Sequence, residues 1–265
     1  MEEISWRQKA RDFWFQVGDK NSAYFHRVAN YNQRKKLIQV LKVDGQVLVD
    51  KVDIKNAFIT HFQQRFTEPL VNRPFPVDFK KDLFSLDDNF QLTLPFSELE
   101  VWDAVNSCGN NKAHGPDGFT IEFFKKAWSI VKNDLVKAVD EFYITGFVPD
   151  SIGHSFLCLI PKKESAEGLN DFRPISLVGS LNKIISKLLF RRLRPFMSKA
   201  ISPQQFAGIK GRQIHEAGLI ANELVDSIRR SGRPGLILKL DIEKAFDSVS
   251  WGCLLRILQN MGLHT

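Results

Sequence analysis

Strand-like segments in this chain are short and scattered among longer amphipathic stretches, which limits the fold to a mixed architecture with small sheets. Residues 154–160 (His-Ser-Phe-Leu-Cys-Leu-Ile) are an apolar run closed by Pro161. Residues 235–241 (Gly-Leu-Ile-Leu-Lys-Leu-Asp) are a second such run. Both have strand length rather than helix length. A β-hairpin is predicted over 37–49, where Leu37–Leu41 and Val47–Val49 flank Asp44-Gly45, a pair suited to a tight turn.

The stretches between read as helices. Ile54, Phe58, Phe62 and Phe66 recur every four residues, the buried stripe of one helix. Ser97 with Glu100 three residues on is a capping box, and it predicts a helix to about Cys108. Helices are expected over about 3–16 and on to Gln33, near 120–131 and 133–145, over 180–198, over about 213–230, and over 250–261 with Gly262 as the stop. Residues 67–96 hold Pro69, Pro74, Pro76 and Pro95 and read as a linker.

Charge narrows the function. There are 37 Lys and Arg against 30 Asp and Glu, a net +7, and the excess is local. Between Ile160 and His215 eleven cations face three acids, Glu164, Glu167 and Asp171. Such a concentration favours a phosphate-facing surface. In the 180–198 helix Leu181, Ile184, Ile185, Leu188 and Leu189 form the expected buried face, and Lys183, Lys187, Arg191 and Arg194 form a basic stripe. Cys108, Cys158 and Cys253 are far apart and make no metal-binding pair, which suggests a reducing compartment. No apolar run approaches the roughly 20 residues of a membrane span, and the N-terminus has no apolar signal core.

Three segments have chemical potential. In the first, Leu238 to Trp251, Asp241 stands at the exit of a strand-like run. Magnesium takes oxygen ligands, and Asp241 with the carbonyl of Ile242 would supply two. Alone, such an aspartate is more often a turn cap. The second carries Lys162, Lys163 and Arg173, types suited to triphosphate oxygens or to a solvated loop. The third, Lys112 to Phe119, holds Gly115-Pro116-Asp117-Gly118, where glycine permits close backbone approach.

Taken in order, these blocks resemble the reverse transcriptases of non-LTR (LINE-type) retrotransposons, particularly the plant ones. The resemblance runs through Gly18–Arg27, Asn111–Phe119, Ile160–Lys163, Phe172–Ser176, Ile201–Gln204, Lys210–Arg212 and Asp241–Trp251. It implies an α+β chain: a helical and hairpin region over 1–66, a linker over 67–96, fingers and early palm of a right-hand polymerase over 97–234, and the start of the palm over 235–265. Asp241 would be the first catalytic, metal-binding aspartate. Phe246 would close the sugar pocket against a 2′-OH. Arg173 and one of Lys162 and Lys163 would contact the incoming deoxynucleotide. Gly211 and Arg212 would lie in a template-side block, next to the nucleic-acid-binding Lys183, Lys187, Arg191 and Arg194. The expected partners are an RNA template and a DNA primer, the cofactor Mg²⁺, the compartment the nucleus.

The family's Asp-Asp hairpin has no counterpart after Asp241; the chain's one Asp-Asp pair is Asp87-Asp88. The expectation is therefore a truncated reverse transcriptase that does not polymerise by itself, the alternatives being an RNA-binding remnant or a relic. His114 stands where the family usually has Pro, Gly208 where it has an apolar residue, and Gly252 where it often has Asp.

Overall fold

The computed structural model describes residues 27, 30–31, 37–68, 82–110, 112–209, 211–232, 234–241, 247 and 249–263. In chain order the elements are β1 (Leu41–Val43), β2 (Gln46–Leu48), α1 (Lys51–Phe66), α2 (Leu86–Leu92), α3 (Glu98–Ser107), α4 (Ile121–Lys126), α5 (Trp128–Thr145), α6 (Asp150–Gly153), β3 (Ser155–Pro161), a 3-10 turn (Leu169–Asp171), β4 (Phe172–Val178), α7 (Ser180–Leu193), α8 (Met197–Ala200), α9 (Ile214–Ser231) and α10 (Trp251–Asn260). The fold is mixed α and β, as expected. The helices expected before Gln33 lie outside the described residues, apart from Arg27, Asn30 and Tyr31, which are helical. The chain divides into two units, residues 1–65 with 101–185, and residues 66–100 with 186–265.

The first unit is built on two antiparallel hairpins. In β1–β2 Leu41 faces Leu48 and Val43 faces Gln46, and Asp44 and Gly45 turn the chain with φ of 49° and 82°. In β3–β4 the register runs from Ser155 opposite Val178 to Pro161 opposite Phe172. The predicted stripe on α1 buries Ile54, Phe58 and Phe62, and Phe66 stays exposed. With Leu41 and Phe172 these form one core, in which Phe58 meets Phe172 edge to face at 5.3 Å. Each such large apolar side chain contributes about 1.5–3 kcal/mol by leaving water. β1 is tied to the β3–β4 connection by the Lys42 N–H on the Glu167 carbonyl, 2.6 Å, and by a Lys42–Glu167 ion pair.

Helices α4 and α5 break at Ala127, where the expected boundary lay near residue 132. Trp102 of α3 stacks against Trp128 at 4.7 Å. Lys125 donates to the carbonyls of Asn106 and Cys108 and to the Asn110 side chain. It thus satisfies the end of α3, where unpaired carbonyls and the helix dipole favour a cation.

In the second unit the stretch read as a linker contains α2. Ser85 and Asp88 cap it reciprocally, with Asp88 N–H on Ser85 Oγ at 3.1 Å and Ser85 N–H on Asp88 Oδ2 at 2.9 Å. The segment before it follows the end of α10. Asp82 N–H donates to Asn260 O, and Leu83 and Phe84 N–H both donate to Met261 O. Gly262 has φ 90°, and a Cβ there would lie 3.0 Å from Phe84 O.

Three expectations fail in this unit. Helix α7 ends at Leu193 rather than 198, because Pro195 has no N–H to continue it; Leu189, expected in the buried face, is exposed. Residues 235–241 form no strand, and Leu236 and Leu238 are 89% and 72% exposed. A strand exists through a partner's backbone groups, and among the described residues the strands pair only as β1–β2 and β3–β4.

Candidate nucleotide and nucleic-acid interface

The β3–β4 hairpin brings Lys162 and Arg173 to one end. Ile160 pairs with Arg173, and Lys162 N–H donates to Asp171 O at 2.8 Å. The two lysines are held differently. Lys163 is ion-paired to Asp171 at 2.9 Å, whereas the Lys162 ammonium meets the neutral carbonyl of Asn170 at 2.7 Å. Arg173 follows the buried Phe172 and so points to the opposite, solvent face of the strand. Asp171 organises the turn. The Gly168 N–H and the Lys163 ammonium, with the Glu167 N–H, hold its carboxyl down at about 2.

The Gly115–Gly118 loop fits the start of α7. The Asp117 carboxylate accepts from the Ser180 N–H, and Ser180 Oγ donates to Phe119 O at 2.7 Å. Asp117 thereby caps α7 from 63 residues away, a favourable place for a negative charge. A Cβ on Gly115 would meet the Gly179 nitrogen and the Val178 carbonyl carbon at 2.5 Å, so close approach is the reason for this glycine. His114 turns its ring onto the Gly115 carbonyl. This segment is a structural clip.

Helix α7 carries the basic stripe. Lys183 donates to Ala113 O at 3.2 Å. Within the second unit Lys187 and Arg194 lie over the Phe190 ring, at 5.2 and 5.6 Å from its centre, and Arg191 is exposed. Arg192, which the stripe does not include, turns inward and is 11% exposed. Its guanidinium binds Glu100 at 2.9 and 3.0 Å, the carbonyls of Leu94 and Pro95, and the Phe96 ring at 3.8 Å. The Arg192 hydrogen bonds hold the Glu100 carboxyl below its usual range. The signal was present in the periodicity: Arg192 lies four residues after the buried Leu188, on the same helical face. Lys199 likewise pairs with Asp88 at 2.8 Å and lowers that carboxyl.

In the block expected on the template side Gly211 takes φ 83°. Arg212 donates to the carbonyls of Ser202, Gln205 and Ile201 at 2.5, 2.7 and 3.4 Å. It closes its own loop rather than presenting a free fork. Asp241 is exposed and lies in no strand. Ile242 and Phe246 fall outside the described residues. Among the described residues no three His, Cys, Asp or Glu converge as a metal site. No helix among them is long and apolar enough to cross a membrane.

Residues 160–265, from the end of β3 onward, match the reverse transcriptase (RNA-dependent DNA polymerase) family. Proteins of non-LTR retrotransposable elements are similar to the chain well beyond that stretch. It is 29% identical, over 91% of its length, to the transposon TX1 149 kDa protein of Xenopus laevis. It is 26% identical over 64% to a Pol polyprotein of retrotransposable element R2 from Popillia japonica, and 24% identical over 68% to one of element R1 from Bradysia coprophila. It spans 19%, 23% and 16% of these relatives respectively.

Proposed function

We propose that this chain supplies the fingers and early palm (97–234) and the start of the palm (235–265) of an RNA-directed DNA polymerase acting in the nucleus, with 1–66 as the region ahead of it. In the intact enzyme a primer 3′-OH attacks the α-phosphate of a deoxynucleotide and pyrophosphate leaves, with RNA as template. The observation that carries this reading is the family match over 160–265 together with two cations, Lys162 and Arg173, at one end of a single hairpin.

Lys163 is neutralised by Asp171. Lys162 rests on a carbonyl, which a phosphate oxygen would displace as the stronger, charged acceptor. We therefore assign Lys162, with Arg173, to the triphosphate, Lys163 to the turn, and Phe246 to the sugar. Lys183, Lys187, Arg191 and Arg194 face the template, and Gly211 with Arg212 shapes the template-side loop. Asp241, with the Ile242 carbonyl, is the part of a Mg²⁺ site that this stretch contributes. Magnesium would supply charge stabilisation at the phosphates when bound.

Photo-crosslinking of an azido-labelled deoxynucleoside triphosphate to the full chain tests the assignment. Lys162→Ala should lower labelling by roughly tenfold, the scale of one charge-assisted contact, and Lys163→Ala should leave most of it. Loss with Lys163→Ala and none with Lys162→Ala would reverse the assignment.

A further inference from the structure

Phe190 is an aromatic residue at a half-exposed position. It is 49% exposed on α7, two residues past Leu188, which is buried. Its ring is bracketed by Lys187 three residues before and Arg194 four residues after, about 10 Å apart along the helix axis. Neither cation has an ion-pair partner among the described residues. Their neighbours Arg192 and Lys199, by contrast, are engaged by Glu100 and Asp88. No acid lies between Asp171 and Glu216, while nine cations do. A ring takes none of a cation's hydrogen-bond donors, so Lys187 and Arg194 keep theirs for solvent or a ligand.

We propose that Phe190, Lys187 and Arg194 form a stacking site for an unpaired nucleotide of a single-stranded polynucleotide. The cations would take flanking phosphates, and the phenyl would stack on a base in place of one of the cations now over it. The pairing of charge with a flat apolar face selects this ligand. A duplex offers the same phosphates but hides its base faces in the stack, and an acidic peptide offers charge but no flat ring. The site rests on the reading of α7 as a nucleic-acid-facing helix and adds the strandedness of what it holds.

The test is fluorescence anisotropy of the full chain with a labelled oligouridylate and with a blunt RNA duplex of equal length, over a range of KCl. Phe190→Leu should weaken oligouridylate binding roughly tenfold, the scale of one lost base stack. It should leave duplex binding and the salt slope unchanged, and Phe190→Trp should retain full affinity. The double variant Lys187→Gln/Arg194→Gln should reduce the salt slope by roughly 1–1.5, as two phosphate contacts to a single strand require. Thermal midpoints equal to wild type establish that each variant is folded. Equal oligouridylate binding by Phe190→Leu, or equal loss on both probes, overturns the stacking site. The basic face still stands if the double variant flattens the slope. Salt-insensitive binding by the wild type overturns both. A polyglutamate competitor with the same dependence on Phe190 would assign the site to an acidic protein instead.

Discussion

Residues 155–161 and residues 235–241 are close in composition and opposite in outcome. The first is Ser-Phe-Leu-Cys-Leu-Ile-Pro and becomes β3; the second is Gly-Leu-Ile-Leu-Lys-Leu-Asp and becomes no element at all. β3 has β4 eleven residues further on, and all seven of its residues find a partner in register. It also has a floor, since Phe172 and the α1 stripe give Leu159 something to pack against. Residues 235–241 have neither a paired strand among the described residues nor cover for Leu236 and Leu238. Strand formation is a property of the pair and its floor, and an apolar run states only half of it. The function divides along the same line. The cations proposed for the triphosphate, Lys162 and Arg173, belong to the end of the paired hairpin, and Asp241 sits on the segment that is not paired.

The largest expected effect breaks this contrast from the paired side. Phe172→Ala removes the ring that Phe58 meets edge to face and leaves a cavity under β4, a loss of roughly 3–5 kcal/mol. Amide hydrogen exchange should then show β3 and β4 losing protection together. Leu236→Ala, at a fully hydrated position, should stay within about 0.5 kcal/mol of wild type. A comparable loss at Leu236 would mean that 235–241 has a partner in solution.

Gly115→Ala acts at the far end of β4, where the added Cβ would lie 2.5 Å from the Val178–Gly179 backbone. Neither side is a flexible tip, so the loop or the strand end must shift, at about 1–3 kcal/mol. The expected signature in chemical denaturation is a lower midpoint with an unchanged slope. In exchange it is faster amides at Val178 and Ser180, with Phe156 unaffected. An unchanged midpoint would show that the loop does not dock on α7.

How much of this was legible depended on sequence distance. Asp44-Gly45, the Ser97–Glu100 box and the Ile54, Phe58, Phe62 stripe were readable because their partners lie within one turn. The Asp117 cap of α7 was not, since its donor lies 63 residues on. Arg192 was counted only among the cations of 160–215, although its period placed it on the buried face. Helix α2 was hidden by surrounding prolines and by a box that ends in Asp88, a shorter closing side chain than the usual Glu or Gln. For the candidate site, the residue types at 162, 163 and 173 were legible. The division of labour between the two lysines was not, because it depends on where Asp171 folds.

That division gives the smallest effect and the sharpest test of the paired hairpin. Asp171 has its carboxyl lowered from 3.8 to about 2, first by the Gly168 N–H and then by Lys163. A carboxyl depressed by folding stabilises the native state at every pH above its unfolded value. That contribution is lost as pH falls through the folded value. The wild type should therefore hold a constant advantage over Asp171→Asn above about pH 4 and lose it progressively between about pH 4 and pH 2. Denaturant midpoints of the two proteins across that range measure it. Asparagine keeps a neutral acceptor for the Gly168 N–H, so the difference isolates the charge rather than the turn. If the two proteins stay parallel down to about pH 2, the carboxylate is not what anchors Lys163, and Lys163 regains an equal claim to the triphosphate.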